Sequence, residues 1–180
     1  MKKLTSLLLS LAVLTTAVLP VAAATDQRLT QVTQAVKETL SIDDGYDTFY
    51  GELEETTFQS FWSLNWEGEG RSLRVSASED GTIYHYNYSD STGSTSQNPA
   101  FPEYSPMEAQ AIAQNFLDKV VTAPLDAQLE DTETMGSIDS DRYYFHGALT
   151  LHGYPTPLGL SISVDSHTGQ VLNYRRDDRY

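Results

Sequence analysis

The chain repeats its own pattern about halfway along. Leu29, Val32, Val36 and Leu40 recur as Ala109, Ile112, Phe116 and Val120, with the same spacing of three, four and four residues. Each helical run is followed by aromatic-rich alternating segments and closes on a tight turn before a last strand. The turns are Asp80-Gly81-Thr82-Ile83 in the first copy and Thr168-Gly169-Gln170-Val171 in the second. Helices match at an offset of 80 (Leu29 to Ala109) and turns at 88 (Gly81 to Gly169), so the second copy is eight residues longer between them. A period of this size makes each copy one supersecondary unit that must bury its apolar face against a neighbour.

The first 24 residues read as an export signal. Lys2 and Lys3 form a basic start, Leu7 to Val21 is apolar but broken by Thr15-Thr16 and Pro20, and Ala22-Ala23-Ala24 supplies small residues for cleavage. The run is too short and interrupted for a good membrane span. Cleavage near Ala24 predicts a secreted or envelope-associated product with no membrane anchor, 156 residues long (180 less 24). Loss of Lys2 and Lys3 takes the net charge from −14 to −16. Such a surface repels nucleic acid and anionic membranes, and suits a basic partner, divalent cations or plain solubility. The absence of cysteine excludes disulfide stapling, thiol catalysis and thiolate metal sites, so burial must hold the fold.

Asp26 caps a helix predicted over about 26–41, which Asp43-Asp44-Gly45 ends. Tyr46 to Glu54 reads as a strand with Tyr50 and Leu53 inward. In Phe58 to Trp66, Trp62, Leu64 and Trp66 share a face while Ser63 and Asn65 point away. Leu73, Val75 and Ala77 line the next strand, and Asp80-Gly81 turns into Ile83 to Tyr88. Residues 89–104, rich in serine and threonine with Pro99 and Pro102, read as a flexible linker. Ser105-Pro106-Met107-Glu108 opens the second helix with a capping box. Strands are predicted over Gln128 to Met135, Tyr143 to Leu151, Leu158 to Val164 and Val171 to Tyr174, with turns at Asp139 to Asp141, at Gly153-Tyr154-Pro155 and at Gly169. An antiparallel sheet with one apolar face needs a cover, and the preceding helix is the local candidate. The two units should pack together or extend one sheet across both.

Three segments carry a family resemblance. They are the helix start Ser105-Pro106-Met107-Glu108-Ala109 followed by Ala113, Phe116 and Leu117; the strand Phe61-Trp62-Ser63-Leu64-Asn65-Trp66; and the hairpin Ser163-Val164-Asp165-Ser166-His167-Thr168-Gly169-Gln170-Val171. Over about residues 26–178 the pattern resembles the YcdB/YcdC-type repeat of exported Gram-positive proteins, a relative of PepSY domains. The first copy departs from it, with Ser78-Glu79-Asp80-Gly81 in place of the Asp and Thr-Gly elements. The resemblance implies an α+β fold of two PepSY-like repeats, each a helix packed on a short antiparallel sheet. The signal would occupy residues 1–24, the first repeat 25–88, the linker 89–104 and the second repeat 105–180. It also implies a non-catalytic binding or regulatory role, since PepSY-like domains occur in pro-regions of secreted metallopeptidases and in envelope proteins. It brings no catalytic residues to transfer.

The residues themselves offer little chemistry. Of the four histidines, His146 and His152 share strand parity but would lie about 20 Å apart on an unbroken strand, too far for one metal. His85 sits among tyrosines and His167 in a turn. Asp43, Asp44 and Asp47 lack the spacing and terminal glutamate of a calcium loop. Glu79 with Asp80 and Asp139 with Asp141 read as turn acids. There is no G-x-S-x-G elbow, no Ser-x-x-Lys and no glycine-rich phosphate loop. No catalytic residue, cofactor or metal is therefore expected. The anomaly is aromatic content: eleven tyrosines, six phenylalanines and two tryptophans. Trp62 and Trp66 read first as core beneath a helix, and otherwise as a binding platform. If Ile83 faces the core, Tyr84, Tyr86 and Tyr88 face outward as an exposed ladder. The expected partner is a protein, either an extracellular peptidase or an envelope protein. The alternative is an envelope domain that contacts wall glycan or a surface protein through these aromatics.

Overall fold

The computed structural model describes residues 21–57, 59–91, 101–130 and 141–177. The expected signal segment up to Pro20, Phe58, linker residues 92–100, the stretch 131–140 with Met135 and Asp139, and the last three residues lie outside them.

Helix α1 (Val21–Leu40) turns its sequence stripe inward: Val32 and Val36 are fully buried, and Leu29 and Leu40 pack partly against them. It stops before Asp43. Ser41 takes a left-handed φ of 55°, and the Ile42 N–H donates to the Lys37 carbonyl at 3.1 Å, closing a Schellman turn. Asp43 and Asp44 are thereby left for other contacts. Asp43 accepts from the Gly45 N–H and the Arg71 guanidinium, and Asp44 pairs with Lys37.

Helix α2 (Pro106–Val120) opens on the capping box read from the sequence. Ser105 Oγ accepts from the Glu108 N–H, and the Glu108 carboxylate accepts from the Ser105 N–H at 2.8 Å. Hydrogen bonds from the Ser105 side chain and backbone hold the Glu108 carboxyl below its ordinary pKa. Its fully buried face is Ala109, Ala113 and Leu117, and the two alanines admit the helix close to the sheet.

The strands are β1 (Thr48–Glu55), β2 (Ser60–Gly68), β3 (Arg71–Ala77), β4 (Ile83–Asp90), β5 (Leu125–Leu129), β6 (Arg142–Leu151), β7 (Tyr154–Asp165) and β8 (Val171–Arg176). They form one eight-stranded antiparallel sheet in the order β1-β2-β3-β4-β8-β7-β6-β5. Each group of four strands is a meander, and the two meet where β4 pairs with β8. Both helices belong to the same core as the inward rows of the sheet, with α1 against β2 and α2 against β5 to β8. Of the two expected arrangements, units packed together or one sheet extended across both, the second is the one observed. Among the described residues no helix is long and apolar enough to cross a membrane.

Several local expectations shift. Tyr50 is not buried but 58% exposed, because β1 is an edge strand whose register sets Tyr50 opposite Asn65 on the outer face; Leu53, opposite Trp62, faces inward. Strand β5 begins at Leu125, earlier than Gln128. The β6–β7 hairpin is tight, with His152 (φ 51°) and Gly153 (φ 79°) at its tip, so His152 leaves the strand on which it was expected beside His146. Pro155 enters β7 beyond the reach of β8, where its missing N–H interrupts no central ladder.

Candidate functional site

Of the five aromatics singled out in the sequence, three are core. Trp62, Trp66 and Tyr86 are 1%, 4% and 6% exposed. The expected outward tyrosine ladder does not form, and a β-bulge is the reason. Ala77 pairs with Ile83 but Ser76 pairs with His85, so Tyr84 is an extra residue in β4. The bulge restores Tyr86 and Tyr88 to the inward face that Ile83 already occupies. Tyr86 then stacks edge-on against Phe116 of α2 at 5.0 Å, and its hydroxyl accepts from Gln170 Nε2 at 3.2 Å. Burial pushes the Tyr86 phenol well above its ordinary pKa, with the nearby Tyr46 adding to the effect. Tyr88 is half-buried, and its hydroxyl donates to Asp90 at 3.1 Å. Tyr84, on the bulge, lies with the Arg176 guanidinium 5.4 Å from its ring.

Both helices lie on one side; no helix or strand among the described residues covers the other face of the sheet, and that face is almost all polar. One rung runs Glu52, Ser63, Ser76, His85, Arg175 across β1, β2, β3, β4 and β8. The next runs Tyr50, Asn65, Arg74, Asn87, Asn173 across the same strands. Side-chain alternation explains both: the β2, β3 and β8 residues each sit one place from an inward Trp62, Leu64, Val75 or Tyr174. His85 and Asn87 flank the inward Tyr86, and Tyr50 and Glu52 flank Gly51, which pairs with Leu64.

Over β1 to β4 this face is hollowed. A concavity of about 520 Å³ is lined by Tyr50, Glu52, Glu54, Asn65, Glu67 and Arg74, among others. A second, of about 260 Å³, is lined by Glu54, Phe61, Arg74, Ser76, Tyr84 and His85. Both share Glu54, Ser63 and Arg74, so they form one trough. Arg74 Nε donates to Asn65 Oδ1 at 2.7 Å, and the Tyr50 hydroxyl donates to Glu52 at 2.6 Å. That hydrogen bond to the Glu52 carboxylate raises the Tyr50 pKa. Ser63, on the floor, is only 7% exposed.

The remaining sequence candidates serve turns. The Asp165 carboxylate accepts from the N–H groups of His167 and Thr168, and His167 lies 3.6 Å from Asp141. Asp80 accepts from the Ser78 hydroxyl and the Thr82 N–H, which lower its pKa. His85 meets Asn173 at 3.4 Å across the β4–β8 seam. Among the described residues no three His, Asp or Glu side chains cluster as a metal site. Sequence reasoning passed over Ser63, Arg74 and the glutamates of β1. Their only signal was parity opposite the tryptophans, which marks an outer face without saying that it is concave.

The fold has a structural counterpart in the C-terminal domain of YpeB from Bacillus megaterium, with a TM-score of 0.55 at 12% identity. The match covers 80% of this chain and 60% of that one, so the chain spans less than two thirds of the length of its counterpart. At this identity the likeness concerns the fold, an α+β PepSY type. No curated protein sequence matches the chain. The model of the family described as "YcdB, YcdC repeated domain" matches residues 29–178. With that match spanning both helices from Leu29 onward and all eight strands, the chain belongs to the YcdB/YcdC repeated-domain family.

Proposed function

We propose that this protein is a secreted, non-catalytic binding and regulatory module that modulates an extracellular peptidase. The observation that carries the reading is the open outer face. A PepSY-type sheet covers one side with helices and presents the other as a polar trough with unspent hydrogen-bonding groups. The export signal and the acidic surface agree with work outside the cell. The alternative, adhesion to wall glycan through aromatic rows, loses Trp62, Trp66 and Tyr86 to the core.

The reading includes the division into two PepSY-like repeats, residues 25–88 and 105–180. Tyr86 and Tyr174 occupy matching places in the two turn-and-strand units, and they pair with each other across the β4–β8 seam. On either side His85 faces Arg175 and Asn87 faces Asn173, which is the pairing a local two-fold relation between the copies would produce. Each copy also carries a bulge just after its turn, at Tyr84 opposite Ser76/Ala77 and at Leu172 opposite Ser163/Val164.

The test mixes the purified secreted protein with a panel of secreted metallopeptidases and follows cleavage of a protein substrate. Altered proteolysis by at least one enzyme is expected. No binding and no change across the panel would overturn the peptidase role.

A further inference from the structure

We propose that the trough over β1 to β4 binds an extended peptide segment bearing lysine or arginine side chains. The inference rests on the reading of the chain as a binding module and names the chemistry of its ligand. Ser63 is more than nine-tenths buried, lines both parts of the trough and has no hydrogen-bond partner among the described residues. Its hydroxyl opens onto the trough, where a peptide N–H or carbonyl takes the place of solvent. Asn65 uses its carbonyl oxygen on Arg74, leaving its NH2 group without a partner among the described residues. The floor thus offers donors and an acceptor suited to a main chain.

The walls set the charge. Glu52, Glu54 and Glu67 face one cation, Arg74, which is already held by Asn65. The whole chain carries a net charge of −14, so the long-range field also draws cations toward this surface. Spread carboxylates along a trough of about 520 Å³ plus 260 Å³ match several residues of an extended basic segment better than a single ion. Tyr50, 58% exposed at the rim, gives an apolar wall for a lysine stem.

The experiment is a fluorescence-anisotropy titration of the full protein with a labelled hexapeptide of alternating lysine and serine at low salt. Saturable binding is expected. The paired exposed substitutions Glu52→Gln and Glu54→Gln should weaken it by at least about fivefold. Ser63→Val should also weaken it, while leaving its salt dependence unchanged. Tryptophan emission and thermal midpoint establish that each variant is folded; if Ser63→Val is not, the glutamate pair decides alone. Three results would overturn the proposal: no binding of the basic peptide, binding indifferent to the glutamate pair, or tighter binding of a glutamate–serine hexapeptide. Equal competition by spermine would overturn the peptide part, since charge alone would then suffice. Peptide binding with no effect on any peptidase would leave this site standing and remove only the peptidase role.

Discussion

Ser41 holds the left-handed place that closes α1, where a β-carbon crowds the backbone. Ser41→Gly should therefore raise stability by about 1 kcal/mol, read as a higher urea midpoint at unchanged slope. An unchanged or lower midpoint would count against that closure. Tyr86 makes a pH prediction. Burial raises its folded pKa above that of the unfolded phenol, about 10, so the neutral form is favoured by folding. Its contribution is complete below pH about 10 and is lost as pH rises toward the folded value. Urea midpoints should stay level to that point and then fall, and Tyr86→Phe should make the fall shallower. Asp80 acts at the other end: its depressed pKa adds stability that disappears as pH drops through the carboxylate range.

At the scale of elements, the bulge in β4 decides which residues the core receives. Deleting Tyr84 would remove the extra residue and leave His85 outward and Tyr86 inward, in unbroken alternation from Ile83. The deletion should therefore keep the cooperative unfolding transition, whereas one residue inserted between His85 and Tyr86, which turns Tyr86 and Tyr88 outward, should abolish it. Circular dichroism during urea titration distinguishes them. The same bulge shows where sequence reading ends. Strict alternation correctly separated Trp62, Leu64 and Trp66 from Ser63 and Asn65, and the capping box at Ser105 was legible because all its partners lie within four residues. Alternation failed after Ile83 because a bulge is a property of two paired strands, and a single strand's pattern does not contain it. Tyr50 misled for a related reason: its burial depends on β1 being an edge, which only strand order reveals. The trough needed both pieces of information together, the outer face and its curvature.

For the whole molecule, one core links both helices and both meanders. Trp62 lies in that core beneath α1, fully buried. Trp62→Ala should cost about 3–5 kcal/mol. Because the core is shared, tryptophan emission from the first meander and far-ultraviolet circular dichroism from the entire sheet should report the same transition, before and after that substitution. Two separated transitions would mean that the halves are independent. The β4–β8 seam has one more consequence. β8 is the last strand in chain order, yet it sits in the middle of the sheet, between β4 and β7. Contacts such as His85 with Asn173 join residues 88 apart in sequence. The sheet therefore closes at its centre rather than at an edge, and only after β8 is available. Until that strand arrives the first meander has an unpaired flank, so a nascent chain stays open and threadable for most of its synthesis.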